Sequence, residues 1–182
     1  MTNLDNILKN NSIVREGVKV SKVWGKEVHL VNKSYCGKIL DIRARNYLSL
    51  HQHLEKDETF YVLSENPVIV TLVDLGSGEH ELYLLKTGDL LDVPAHTFHS
   101  LLAPVGDSKV IEFSTSDSIT DSYRVINSGE LPESECLELF ERLDNGRSDN
   151  SDRRSSNWKG RVTGLYRPSG GISIIPAESS KI

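Results

Sequence analysis

The sequence is short of cysteine, of positive charge and of long apolar runs, and each shortage excludes a class of protein. Its two cysteines, Cys36 and Cys136, lie far apart and neither belongs to a CxxC pair. A disulfide framework or a thiolate metal site is therefore not expected, and the chain reads as reduced. Lys+Arg number 21 against 26 Asp+Glu, a formal net charge of -5. Binding to nucleic-acid phosphates needs a basic surface, and no local block of lysine or arginine supplies one. No apolar run is long enough to span a bilayer, and the start, "MTNLDNILKNN", is too polar for a leader. The expectation is a cytoplasmic protein with neither a nucleic-acid nor a membrane partner.

What is present is β-patterning. A chain of 182 residues suits one domain with appendages. Between about residues 18 and 126, runs such as "VKVSKVWGKEVHLV", "YCGKILDIRA" and "NPVIVTLVDL" follow strand-like patterns. They are broken by turn chemistry: "SEN", "GSGEH", "TGD", "PVGDS". Many short strands at regular spacing predict a sandwich or barrel, with no internal repeat. The organisation expected is an N-terminal arm over 1–20 with a short helix ("NLDNILKN"), a β-barrel over 21–126, and a C-terminal part over 127–182. In that last part "LPESECLELFERLDN" sets Leu137, Phe140 and Leu143 at helical spacing after Pro132. "GRSDNSDRRSSN" follows as a polar linker, and "WKGRVTGLYRPSGGISIIP" as an apolar arm.

The chemistry sits in "SLHQHLEKDETFYVLSE". Residues i and i+2 of a strand share a face, so His51 and His53 point the same way, and Glu58 follows after a short turn. Two imidazoles and a carboxylate suit a divalent ion such as zinc, manganese, iron, nickel or cobalt. On these residues alone, a solvated polar loop fits as well. "GDLLDVPAHTFHSL" then adds Gly88, Pro94 after five intervening residues, and His99 five positions further on.

Together the two stretches resemble the signatures of the cupin superfamily, G-x5-H-x-H-x(3,4)-E-x6-G and G-x5-P-x-G-x2-H-x3-N. The resemblance implies an all-β double-stranded β-helix, or jelly-roll barrel, with His51, His53, Glu58 and His99 as metal ligands. Departures fall on turns: Arg45, Glu65 and His96 stand where the pattern has glycine, and Ala103 where it has asparagine. Asn66 is expected to supply the left-handed residue in place of the glycine at 65.

Flanking segments are similar to cupin-type sugar isomerases, including D-lyxose isomerase-like proteins and the isomerase module of type II mannose-6-phosphate isomerases. These are Val23-Trp24-Gly25, "YCGKILDIRARNYLSLHQH" and "KVIEFSTSDSITDSYRV". That similarity implies a metal-dependent aldose–ketose isomerase acting on a sugar or sugar phosphate through a metal-stabilised cis-enediolate. Glu112 would be the base, and Arg124 would hold a phosphate or a sugar hydroxyl. The plainer alternatives are a solvent-facing Glu112 on an edge strand and a surface ion pair between Arg124 and Asp121. Lys38 and Arg45 are candidates for the cavity mouth. His29, His80 and His96 read as satisfied or solvent-exposed, Phe60 and Tyr123 as barrel packing, and Trp24 and Trp158 as apolar anchors. A homodimer through barrel edge strands is expected, with a small carbohydrate as partner. Two other functions use the same fold: a mononuclear non-haem iron oxygenase and a non-catalytic sugar-binding cupin.

Overall fold

The computed structural model describes residues 15–148; the expected N-terminal helix, most of the polar linker and the apolar arm with Trp158 lie outside them. Thirteen strands follow in order: β1 (Val18–Lys22), β2 (Gly25–Asn32), β3 (Tyr35–Ile42), β4 (Asn46–Tyr47), β5 (Leu50–Gln52), β6 (Glu58–Val62), β7 (Val68–Val73), β8 (His80–Leu85), β9 (Leu90–Val93), β10 (Phe98–Leu102), β11 (Ser108–Thr115), β12 (Tyr123–Ile126) and β13 (Gly129–Glu130). A short 3-10 turn at Ile119–Asp121 precedes β12, and one helix, α1 (Glu133–Ser148), closes the described chain. No helix among the described residues is long and apolar enough to cross a membrane.

The strands form two antiparallel sheets. One is six-stranded in the order β1-β2-β3-β11-β6-β9; the other, seven-stranded, runs β12-β5-β10-β4-β13 with β7 and β8 attached beside β10. The main core lies between them and includes Trp24, Leu40, Ile42, Phe60, Val62 and Val110.

The strand-like "VKVSKVWGKEVHLV" run forms the β1–β2 hairpin. Gly25 makes the corner possible. It has φ +149°, and a Cβ there would lie 2.0 Å from the Asp41 carbonyl oxygen, so no side chain fits. The "GSGEH" turn joins β7 to β8 as expected, with Asp74 Oδ1 accepting the Gly76 N–H at 2.8 Å.

Two turns carry unusual residues. Among the described residues, Arg45 (φ 64°) and His96 (φ 66°) are the non-glycine residues with left-handed backbone. Both stand where the resembled pattern has glycine, so the turn survives the loss of the residue that favours it. Asn66 does not behave as expected: neither it nor Glu65 is left-handed. Its amide instead donates to the Asp107 carbonyl at 2.9 Å, tying two loops together.

The helix also differs in detail. Its buried face comprises Cys136 and Leu143 with Leu139 and Phe140 packed beside them, against Leu82 and Leu84 of β8. Leu137 is 41% exposed. The i, i+3, i+4, i+7 stripe starts one residue earlier than leucine content suggests, because the small Cys136 fits flush on the sheet. Both cysteines are free and buried.

Candidate metal centre

Strand parity builds the site. On β3, β6 and β11 the inward residues change from apolar to charged along the strand: Ile42, Leu40, Lys38; Val62, Phe60, Glu58; Ser108, Val110, Glu112. Register aligns them across the sheet, with Lys38 opposite Glu112 and Glu112 opposite Phe60. The second sheet contributes His51 and His99, which are directly paired across β5 and β10. The barrel thus has an apolar floor and a charged upper layer, opening into a cavity of about 730 Å³ lined by residues of both sheets.

His51, His53 and His99 converge, with one ring nitrogen of each lying within 4.8 Å of the others. The opposite side of each ring is held. His51 Nδ1 lies 2.9 Å from the Ser49 carbonyl, His99 Nδ1 lies 2.9 Å from the Thr97 carbonyl, and His53 Nδ1 bonds the Asp121 carbonyl. A carbonyl oxygen only accepts, so Nδ1 carries the proton and Nε2 presents a lone pair to the cluster.

Glu58 borders this trio. Its Oε2 lies 2.9 Å from His99 Nε2, and its Oε1 lies 3.7 Å from His53 Nε2. His53 Nε2, His99 Nε2 and Glu58 Oε2 are nevertheless buried without a hydrogen-bond partner. Lone-pair atoms packed this closely repel one another unless a positive charge lies among them. Three neutral imidazoles and a carboxylate, each oriented from behind, fit a divalent ion. Burial, with the neighbouring His99, pushes His51 down to about 3, and burial also lowers His53, so both are neutral bases at neutral pH. Burial alone would raise Glu58, but the Lys56 ammonium beside Oε1 opposes it and holds the carboxylate ionised.

Beside the trio lies a layer of alternating charge. Lys56 Nζ contacts Glu58 Oε1 at 2.6 Å, Glu112 Oε1 at 3.1 Å and Asp117 Oδ1 at 3.1 Å, using all three N–H groups. Lys38 Nζ reaches Asp117 Oδ2 at 3.0 Å and Glu112 Oε1 at 3.5 Å. Lys56 and Glu112 are 3% and 5% exposed. Burial would lower both lysines, but Glu112 and Asp117 raise Lys38, and Glu112, Glu58 and Asp117 raise Lys56, so both are ammonium ions. Burial and the Glu58 charge raise Glu112, opposed by the two lysines.

Glu112 is thus no solvent-facing glutamate on an edge strand, since β11 lies inside its sheet between β3 and β6. Its side-chain contacts to Lys56, Lys38 and Ser114 all fall on Oε1, leaving Oε2 without a partner among the described residues.

Arg124 is exposed on β12, opposite His51 in register, and lines the same cavity. The surface ion pair with Asp121 does not form. The Asp121 carboxylate instead accepts the backbone N–H groups of Leu54, Glu55 and Lys56 at 2.8, 3.1 and 3.1 Å. That cap shapes the turn between His53 and Glu58 and turns Lys56 inward, while Glu55 and Asp57 stay exposed.

Other expectations need correction. Lys38 lies inside the cavity, but Arg45 lies away from it, paired with Glu130 at 2.6 Å. His29 lines the cavity, bonded to Glu27. Tyr123 is 40% exposed rather than packed in the barrel, whereas Phe60 and Trp24 are core residues as expected. Sequence reasoning missed Lys56 and Asp117. Lys56 sits in the turn before β6, where strand parity does not apply, so spacing alone does not point to it.

No family model matches the sequence, and no curated protein matches it. Solved structures do share its fold. The capsular polysaccharide assembling protein CapF from Staphylococcus aureus superposes with a TM-score of 0.57 at 15% identity, over 67% of this chain and 41% of that one. Oxalate decarboxylase from Lactobacillus farciminis, in a formate complex, gives 0.53 at 15% identity over 63% of this chain and 37% of that one. The Bacillus subtilis oxalate decarboxylase gives 0.54 at 15% identity, over 63% of this chain and 33% of that one. The chain therefore spans well under half the length of each. Two antiparallel sheets closing on an inward trio of histidines, in the company of these structures, make this an all-β chain with the cupin jelly-roll fold.

Proposed function

We propose that the chain is a metal-dependent aldose–ketose isomerase, with His51, His53, Glu58 and His99 holding the ion and Glu112 as the base. The observation that carries the reading is the position of Glu112. Its Oε2 is free while Lys56 and Lys38 hold Oε1, inside the cavity that also contains the histidine trio.

His51, His53, Glu58 and His99 would hold a divalent ion, which would supply Lewis-acid polarisation of a carbonyl. The remaining work belongs to the side chains. Isomerisation moves one proton between adjacent carbons and one between their oxygens, with no net redox change. Glu112 Oε2 takes the proton from the carbon next to the carbonyl, and the C–H electron pair becomes the enediol double bond. The same carboxyl group then returns its proton to the neighbouring carbon, while the hydroxyl proton passes directly between the two adjacent oxygens and the carbonyl re-forms on the oxygen that loses it. Lys56 and Lys38 keep Glu112 in place and stabilise its ionised form between turnovers. Arg124, with no ion-pair partner among the described residues and at the cavity wall opposite His51, binds a hydroxyl or an anionic group of the substrate.

The test is proton exchange. Metal-loaded protein is incubated in deuterated water with aldoses and ketoses, free and phosphorylated, and C1 and C2 are read by NMR. Deuterium at these positions, with aldose–ketose interconversion, is the expected result. Its absence for every pentose, hexose and heptose removes the reading. Oxygen consumption with no exchange transfers the site to an oxygenase.

A further inference from the structure

Two polar residues in the cavity have no part in the chemistry above. Glu27 and His29 sit on the inward face of β2, opposite Leu40 and Lys38 respectively, and both line the cavity. His29 Nε2 donates to Glu27 Oε2 at 2.7 Å, and Lys22 Nζ from β1 approaches Glu27 Oε1 at 3.2 Å. The Glu27 side chain is 15% exposed and that of His29 36%. Burial would raise Glu27, but His29 and Lys22 overcome it, so an ionised carboxylate is kept in the wall of a cavity.

Register gives the span. One inward row runs His29, Lys38, Glu112, Phe60 across β2, β3, β11 and β6, and the Phe60 ring faces His99 at 5.8 Å. His29 is therefore two strand spacings, about 10 Å, from Glu112 along the sheet. A chain of about six carbons with a hydrogen bond of about 2.8 Å from its last hydroxyl covers that distance.

The chemistry of this end is also distinct. With its Nε2–H given to Glu27, His29 has an acceptor in Nδ1; Glu27 is an anionic acceptor, and Lys22 keeps donors. Sugar hydroxyls, which both donate and accept, match such a set. A phosphate would bring its negative charge against Glu27.

We propose that Glu27 and His29 form a second subsite, which binds hydroxyl groups at the substrate end remote from the histidine trio and selects long, unphosphorylated polyol chains. The inference deepens the isomerase reading and rests on it for the direction in which the substrate lies.

The test is calorimetric titration of the full-length chain loaded with Mn²⁺, using sorbitol, sorbitol 6-phosphate and glycerol. Wild type is expected to bind sorbitol more tightly than either of the others. Glu27→Gln and His29→Asn, both close in shape to the native residues, each weaken sorbitol about tenfold, the loss of one hydrogen bond to a charged or polar group. Glycerol affinity and metal content stay at the wild-type level. The subsite is overturned if both variants bind sorbitol as wild type does. It is equally overturned if sorbitol 6-phosphate binds more tightly than sorbitol, or if wild type binds no polyol. Proton exchange measured on the same samples judges the isomerase reading separately: selective sorbitol binding without exchange keeps the subsite and removes the isomerase.

Discussion

Lys56 Nζ stands 2.6 Å from Glu58 Oε1 and 3.1 Å from Glu112 Oε1, linking the carboxylate that faces the histidine trio to the carboxylate assigned as base. One ammonium thus orients both. Its third N–H is taken by Asp117, so it has no donor to spare and acts through the groups it holds. Such a pair is retained for geometry, since replacing buried ions by apolar groups seldom costs stability overall, whereas removing one partner does.

Lys56→Met is therefore expected to destabilise the metal-free protein by about 3 kcal/mol, because it leaves Glu58 buried without its lysine counter-ion, while Glu112 and Asp117 keep only Lys38. Chemical denaturation checks this. A divalent ion restores part of the loss, since a positive charge returns beside Glu58, so the stabilisation on adding Mn²⁺ is larger in the variant than in wild type. Equal stabilisation of the two proteins would separate Lys56 from the metal centre.

Glu112→Gln keeps the shape and removes the base. Exchange and turnover fall by about 10²–10⁴-fold, the usual contribution of a positioned acid–base group. Metal content and Mn²⁺ affinity are unchanged, because Glu112 is not among the groups facing the trio. Loss of metal along with activity would place Glu112 in the coordination shell instead.

The comparison of sequence with structure follows the same physics. That His51 and His53 share a face follows from strand parity, and a sandwich or barrel from the alternation of "YCGKILDIRA", whereas Glu58 and His99 as fellow ligands, and the jelly roll itself, come only with the resemblance to the cupin signatures. Lys56 was not legible, because it sits in a turn and faces inward through the Asp121 cap, 65 residues away in sequence. His29 reads from the sequence as satisfied or solvent-exposed and nothing there singles out Glu27, because the cavity both residues line is assembled only when β2 pairs with β3. Leu137 was taken for core because hydrophobicity, without the surface of β8, does not say which helical stripe fits.

His96→Gly tests the turn. His96 is held at φ 66° with its N–H on the His53 carbonyl at 2.6 Å, so backbone rather than side chain ties it to the site. Left-handed backbone costs a residue with a Cβ about 1 kcal/mol, which glycine avoids. The variant is expected to gain up to that amount, read as a higher midpoint of denaturation, with metal content unchanged. A loss of metal would make the imidazole a ligand after all.

Acid sensitivity is the last consequence. The ordinary value for histidine is 6.5, and burial, aided by His99, holds His51 at about 3 in the folded chain. Its folded value lies below its unfolded one, so below pH 6.5 the unfolded chain takes up a proton that the native chain refuses. The stability contribution is complete above pH 6.5 and drains away as pH falls towards 3. Between pH 6.5 and 5 this amounts to about 2 kcal/mol for His51, at about 1.4 kcal/mol per pH unit. His53, lowered by the same burial, adds to it in the same direction. Metal-free protein should therefore lose midpoint temperature steadily from pH 7 to pH 4.5, and His51→Asn, which cannot titrate, should flatten that slope. A bound ion needs the same unprotonated rings, so acid also releases it, and stabilisation by Mn²⁺ shrinks over the same interval. A variant as acid-sensitive as wild type would mean that proton uptake at His51 does not limit the native state.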